Sequence, residues 1–434
     1  MRLSIPAILL LSALVCASKT LAQPHPLANA LAAALEYDPQ YQAALQRSIA
    51  KTEQLEISTS RLRPAVGISS NRLQVDQRVQ TAASAAQQQN YPSKVDSLVL
   101  RQSLYQPQLA AEKEQANYNM QAARAQLTAA HQALVFRLAT AYAAVVKEMR
   151  KSELMAGQLA VLELRRAAAE KAVLLGTGIG AERDEILAQA TLLRVERIKS
   201  HQAQDIARTE LTGITGWASP QLDEMFKSID TTMPYAATPL EPLESWLERV
   251  QNQSPSMQDA LMQVQALHIG VKAAEAVRHP TLDLIAQINK TQGENSFFVT
   301  SRTQSQSLGL QLYIPISQGA GEWARQRMAV AQLKEGQANA EQVRNTLISN
   351  TRKAYFSIEE FQARAHALQQ VQGAARQTAQ VNKRAYEAGY KTLLDVVSSE
   401  QRLLEVQLES LDVQANLWLA QLQLRTQAAL ADFN

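Results

Sequence analysis

The sequence predicts a mainly α-helical chain with a transmembrane β-barrel portion, in which one plan occurs twice: a β-hairpin joined to a very long helical hairpin. Three observations predict it. The same landmarks recur in the same order in both halves of the 434 residues. Two tracts free of proline are long enough for helices of about 100 Å. Between the landmarks the hydrophobic period changes from helical to strict alternation.

Residues 1–22 resemble an export signal. Arg2 gives a positive start, "IPAILLLSALVCA" is a short apolar core, and "TLA" before Gln23 supplies small residues for cleavage. The single cysteine, Cys16, lies in this segment, so a cleaved chain has neither disulfides nor a thiol nucleophile. A lipid anchor on Cys16 is the other reading, but Val15 stands where such signals carry a small residue. No second apolar stretch of membrane-helix length is expected. A short helix near Pro26–Tyr37 precedes the first copy.

The duplication divides the rest into 23–215, a linker at 216–253, and 254–434. "DPQYQAALQRSIAKTEQLEISTSRLRPAV" from Asp38 matches "SPSMQDALMQVQALHIGVKAAEAVRHPTL" from Ser254. "LYQP" (104–107) matches "LYIP" (312–315), and "GIGAERDEILAQ" (178–189) matches "GYKTLLDVVSSE" (389–400) at an offset of 211. A repeat this long is a gene-scale duplication rather than a solenoid.

The hairpins are placed at about 65–106 and 281–314. Leu282, Leu284, Ala286 and Ile288 alternate with polar residues, as do Leu308, Leu310, Leu312 and Ile314. Leu98, Leu100 and Leu104 do the same in the first half. The strands read as about ten residues long, polar on one face, the pattern of a membrane β-barrel strand. "QTAASAAQQQNYPS" and "TQGENSFFVTSRT" read as their connecting loops. Four strands cannot close a barrel, and open edges cannot sit in lipid, so several chains must contribute.

Helix pairs are placed at 108–212 and 320–430. No proline lies between Pro107 and Pro220, and none follows Pro315. Leu404, Leu408, Leu411, Ala415, Trp418 and Leu422 step 4-3-4-3-4, a coiled-coil seam. Val343, Leu347, Ala354, Phe361 and Leu368 keep a sevenfold grid in the helix before it. The linker is rich in proline, with one short helix near 241–252.

These landmarks, duplicated and in order, resemble the TolC-like outer-membrane efflux protein family across the whole mature chain. The resemblance implies a homotrimer. Each subunit would give four strands to a twelve-stranded outer-membrane barrel and its long helices to a periplasmic tunnel. It also implies two partners, a periplasmic adaptor and an inner-membrane pump. Leu98, Leu100, Leu282, Leu284, Leu308, Leu310 and Leu312 would then meet lipid.

By the same resemblance the two helix turns form the periplasmic tip. Asp184, Tyr386, Lys391, Asp395 and Arg183 fall on positions of its gate. Asp184 and Tyr386 would hydrogen-bond between neighbouring coils, Lys391 would face the coil carrying Arg183 and Asp184, and three copies of Asp395 would ring the lumen. Arg183 and Ser398 depart from the family pattern. Gly178, Ile179, Gly180, Ala181, Gly389, Tyr390, Lys391 and Thr392 would be the adaptor contact, with Gly178 and Gly180 making the first turn. A plainer role for Asp184 and Asp395 is also open, as first-turn acids complementing a helix dipole.

Enzymatic chemistry finds no support. The histidines His25, His131, His201, His268, His279 and His366 are scattered, and no cluster has metal-ligand spacing. Gly176, Gly178 and Gly180 lack the preceding strand of a dinucleotide fingerprint. No cofactor is expected. A net charge of +3 without a basic stripe argues against nucleic acid. Two functions follow: a passive exit duct for small-molecule efflux or type I protein secretion, or a periplasmic or secreted coiled-coil scaffold without a pore.

Overall fold

A computed structural model describes residues 26–81, 84–227, 240–295, 298–316 and 319–430. The export signal, Cys16 and part of the linker lie outside them. The chain runs α1 (Pro26–Tyr37), α2 (Pro39–Ser60), β1 (Ala65–Thr81), β2 (Ser84–Tyr105), α3 (Pro107–Leu174), α4 (Gly180–Thr215) and α5 (Ser219–Lys227). It continues with α6 (Leu243–Gln253), α7 (Pro255–Ala276), β3 (Thr281–Asn295), β4 (Phe298–Tyr313), α8 (Gly321–Glu387) and α9 (Leu393–Gln427).

Proline sets three of these starts. Pro39, Pro107 and Pro255 each open a helix, where the missing N–H leaves no bond unmade. Asp38 caps α2 by accepting from the Tyr41 N–H at 2.8 Å. Nothing then interrupts α3 for 68 residues or α8 for 67. Each spans roughly 100 Å. Helices of that length need cover along their whole course. α2 and α4 flank α3, and α7 and α9 serve α8.

The core sits where the short helices gather. Leu134, Leu138 and Tyr142 of α3 pack with Leu27 of α1, Leu211 of α4, Phe226 of α5 and Trp418 of α9. Tyr142 stacks on Phe226 at 5.8 Å between centroids and meets Trp418 edge-on at 6.2 Å. Burial pushes its phenol up to about 12. Arg137 of α3 reaches the buried Asp38 carboxylate at 2.7 and 3.0 Å, bolting the start of α2 to the long helix.

The seam of α9 is real, and it is one of two. Trp418 and Leu422 belong to the core shared with α3. Leu417, Ala420 and Leu424 form a second stripe against Ala354 and Ile358 of α8 and Trp246 of α6. Val406 and Val413 extend it to Leu368. One helix thus serves both hairpins.

The four strands form one antiparallel sheet in the order β1-β2-β3-β4. They are longer than the alternation predicts, at 17, 22, 15 and 16 residues. The segments read as loops are largely strand: Gln77 pairs with Gln89 and Gly293 with Ser301. Both faces there are polar, so no hydrophobic period marks the strand, while side-chain bonds such as Gln88 Nε2 to Asp76 at 3.1 Å support it. The linker holds α5 as well as the expected α6. Among the described residues one helix, Pro107–Leu174, is long and apolar enough to cross a membrane, but more than half of its apolar stretch is buried, as in a core helix.

Candidate functional site

Two surfaces carry the chemistry: the helical tip and one face of the sheet. At the tip both turns end the preceding helix in the same way. The Gly176 N–H donates to Val173 O, and Thr177 N–H to Ala172 O. Gly389 donates to Tyr386 O, and Tyr390 to Ala385 O. This is a Schellman ending, which places the next residue in the left-handed region. Gly176 has φ 74° and Gly389 has φ 80°.

The duplication is therefore in register at an offset of 213 here, two residues from the sequence match. Gly176, not Gly178 or Gly180, is the twin of Gly389. Gly178 is needed for a different reason: a Cβ there would lie 2.7 Å from Ala172 Cβ. Gly180 begins α4 with open space around it. Gly176→Ala and Gly389→Ala are each expected to cost about 1–2 kcal/mol. Gly180→Ala should be neutral or slightly stabilising. Thermal melting of the three variants checks this, and a Gly180 variant that melts lowest would reverse the turn assignment.

The corrected register changes the acids. Glu182, not Asp184, is the first-turn acid of α4, and it matches Asp395 of α9. Asp395 closes a capping box: its Oδ2 accepts from the Thr392 N–H at 2.9 Å, and its own N–H donates to Thr392 Oγ1 at 3.2 Å. The Thr392 N–H and hydroxyl, with Lys391 nearby, hold the Asp395 carboxyl below its ordinary value. The helix-start role of Asp395 is thus present in the fold.

Two local ion pairs form at the tip. Arg183 donates to Asp184 Oδ1 from Nε at 2.9 Å and from Nη2 at 2.8 Å. Lys391 lies 3.6 Å from Asp395. Within one chain Asp184 is engaged by Arg183 rather than by Tyr386. The same turns carry exposed apolar side chains: Leu174, Leu175 and Ile179 on the first, and Tyr390, 86% exposed, on the second.

An ion pair that sequence reasoning missed joins the two hairpins below the tip. Arg165 Nη2 of α3 meets Glu400 Oε1 of α9 at 2.5 Å, and both side chains are mostly buried. Above and below it Leu162, Ala169 and Ile186 pack on Leu393 and Val397. The partners lie 235 residues apart and share no motif, so only the fold reveals them.

The sheet presents the second surface. Directly paired residues share a face. Leu98 pairs with Ile68 and Ile288, and Leu100 with Val66 and Ala286. Leu284 pairs with Leu310, Leu282 with Leu312 and Ala286 with Leu308. All seven predicted strand leucines therefore lie on one face, and Val66 and Ile68 join them. Among the described residues nothing covers that face: Leu308 is 75% exposed and Ile68 82%. The other face carries Ser97, Gln287, Ser307 and Gln311. A bulge between Ser103 and Tyr105 displaces Leu104 from the alternation. Beside it Asp283, nearly buried, holds Arg101 at 2.5 Å and Gln106 at 2.8 Å.

Comparison with known proteins agrees with this geometry. The profile of the family described as outer membrane efflux protein matches residues 246–429. The proteases secretion protein PrtF of Dickeya chrysanthemi is 24% identical over 421 residues, 96% of this chain and 90% of that protein. The alkaline protease secretion protein AprF of Pseudomonas aeruginosa is 23% identical over 406 residues, 92% of this chain and 83% of that protein. Among solved structures, the outer membrane protein VceC of Vibrio cholerae superposes with a TM-score of 0.79 at 19% identity, covering 95% of this chain and 98% of that one. The second half matches the outer membrane efflux protein family by sequence, the first half repeats its plan, and the two protease secretion proteins align with this chain along most of their length.

Proposed function

We propose that the chain is one subunit of a homotrimeric outer-membrane exit duct, closed at a periplasmic helical tip and working with a periplasmic adaptor and an inner-membrane pump. The observation that carries this is the uncovered apolar sheet face between two unpaired edges. β1 and β4 run in opposite directions, so β4 of one copy can pair antiparallel with β1 of the next. Three copies give twelve strands and no edge. The coiled-coil scaffold reading leaves the exposed leucines without a role.

The named relatives are protease secretion proteins, which favours a polypeptide as cargo over a small molecule. The duct is passive and carries no catalytic group. Detergent-extracted protein is expected to run at about three times the mass of one mature chain. A monomer soluble without detergent would contradict the proposal.

The gate is proposed at Arg183, Asp184, Tyr386, Lys391 and Asp395, and the adaptor contact at Gly178–Ala181 and Gly389–Thr392. Because Asp184 is held by Arg183 within its own chain, a latch to Tyr386 of the neighbouring coil has to compete with that pair or bring it along. Tyr386→Phe combined with Asp184→Ala is expected to raise single-channel conductance. Conductance equal to that of the parent would remove the latch.

A further inference from the structure

Beyond the apolar rows, the same face of the sheet changes character over two rows. The first crosses the strands as Ser70–Asp96–Lys290–Gln304. The second crosses as Arg72–Lys94–Gln292–Arg302. They hold four cations and one acid. At the same level the opposite face carries Asn71, Val95, Thr291 and Thr303, with no charge. The two charged rows lie about 7 and 13 Å along the strand from Leu98, on the side away from the helices.

The one acid is already shared. Asp96 Oδ1 takes Arg72 at 3.0 Å and the Ser70 hydroxyl at 2.6 Å, and its Oδ2 lies 3.8 Å from Lys94. Among the described residues, no carboxylate pairs with Lys290 or Arg302, and both are exposed. Arg72 stands directly opposite Lys94. Like charges in that position destabilise a sheet unless an anion lies between or beside them. Three copies would repeat the arrangement around a closed barrel.

We propose that these two rows bind the phosphate groups of outer-leaflet lipid headgroups. The inference rests on the reading that the apolar rows meet lipid. If they do, the two charged rows sit at the outer headgroup level, where cations on an outward face meet phosphate. Guanidinium groups at Arg72 and Arg302 bind phosphate bidentately, and Lys94 and Lys290 add point charges. Confinement of the charges to the lipid side, with a neutral lumen side at the same height, separates this from a general need for solubility.

The test is native mass spectrometry of the purified trimer titrated with bisphosphorylated lipid A and with the same lipid dephosphorylated. The parent protein is expected to prefer the phosphorylated lipid by about tenfold or more. Arg72→Gln, Lys94→Gln, Lys290→Gln and Arg302→Gln together should abolish the preference while leaving bilayer conductance intact. Lys290→Gln with Arg302→Gln, which spares the Asp96 cluster, should give a partial loss. Equal preference in parent and fourfold variant, or none in the parent, would overturn the proposal. A protein that gives no conductance at all would instead overturn the lipid-facing reading beneath it.

Discussion

Leu284→Arg combined with Leu310→Arg is expected to abolish insertion into the outer membrane. These two leucines pair directly across β3 and β4. They occupy the middle of the apolar rows, between Leu282–Leu312 on one side and Ala286–Leu308 on the other. A basic side chain on the lipid face of a barrel costs about 2–4 kcal/mol at the bilayer midplane. Two per subunit, repeated in the proposed trimer, exceed what marginal stability tolerates. The control is Ser307→Arg with Gln311→Arg on the opposite face, which should insert and change ion selectivity. The measurement is the fraction of protein recovered in outer membranes and its heat-modifiable mobility. Normal insertion of the leucine variant, with failure of the control, would invert the faces.

Arg137→Ala is expected to destabilise the folded chain by about 3 kcal/mol. Breaking a buried pair leaves an uncompensated charge at a cost of about 3–5 kcal/mol, and the partial exposure of Arg137 places this case at the low end. Asp38 is 1% exposed and also caps α2, so it cannot turn outward without losing the helix start. Burial alone would raise its carboxyl. The Arg137 side chain and the Tyr41 and Gln40 N–H groups outweigh burial and hold it below the ordinary value. A depressed folded value means the contribution is present above about pH 4 and is lost as pH falls through the folded value. The deficit of Arg137→Ala should therefore shrink in acid. Arg137→Met with Asp38→Asn should melt above Arg137→Ala, because it removes both charges and keeps a capping side chain. Equal melting of the single and double variants would show that the pair is not what holds α2.

Much of the fold is legible in the sequence because backbone chemistry announces it. Proline opens α2, α3 and α7, and its absence leaves α3 and α8 unbroken. Alternation marks the apolar part of each strand, where one face must avoid water. It is silent beyond Leu98 and Ile288, where apolar residues no longer recur at every second position and the strands nevertheless continue. The tip was legible as a pair of turns but not in register. Gly176, Gly178 and Gly180 look equivalent in a string, and only the hydrogen bonds ending α3 select Gly176 for the left-handed position. That two-residue shift moves the first-turn acid from Asp184 to Glu182. The pairs Arg183–Asp184 and Lys391–Asp395 form between near neighbours, which spacing alone did not distinguish from contacts across coils. Arg165–Glu400 and the second stripe of α9 depend on which helices meet, and no local pattern records that.

A duct must conduct ions, so conductance across a planar bilayer separates it from a scaffold. Purified protein added to one side is expected to give discrete, uniform channels of small conductance, as the proposed closure of the tip requires. Conductance should step upward in Tyr386→Phe with Asp184→Ala. A bilayer that stays silent, with protein recovered intact from the aqueous side, would contradict the account.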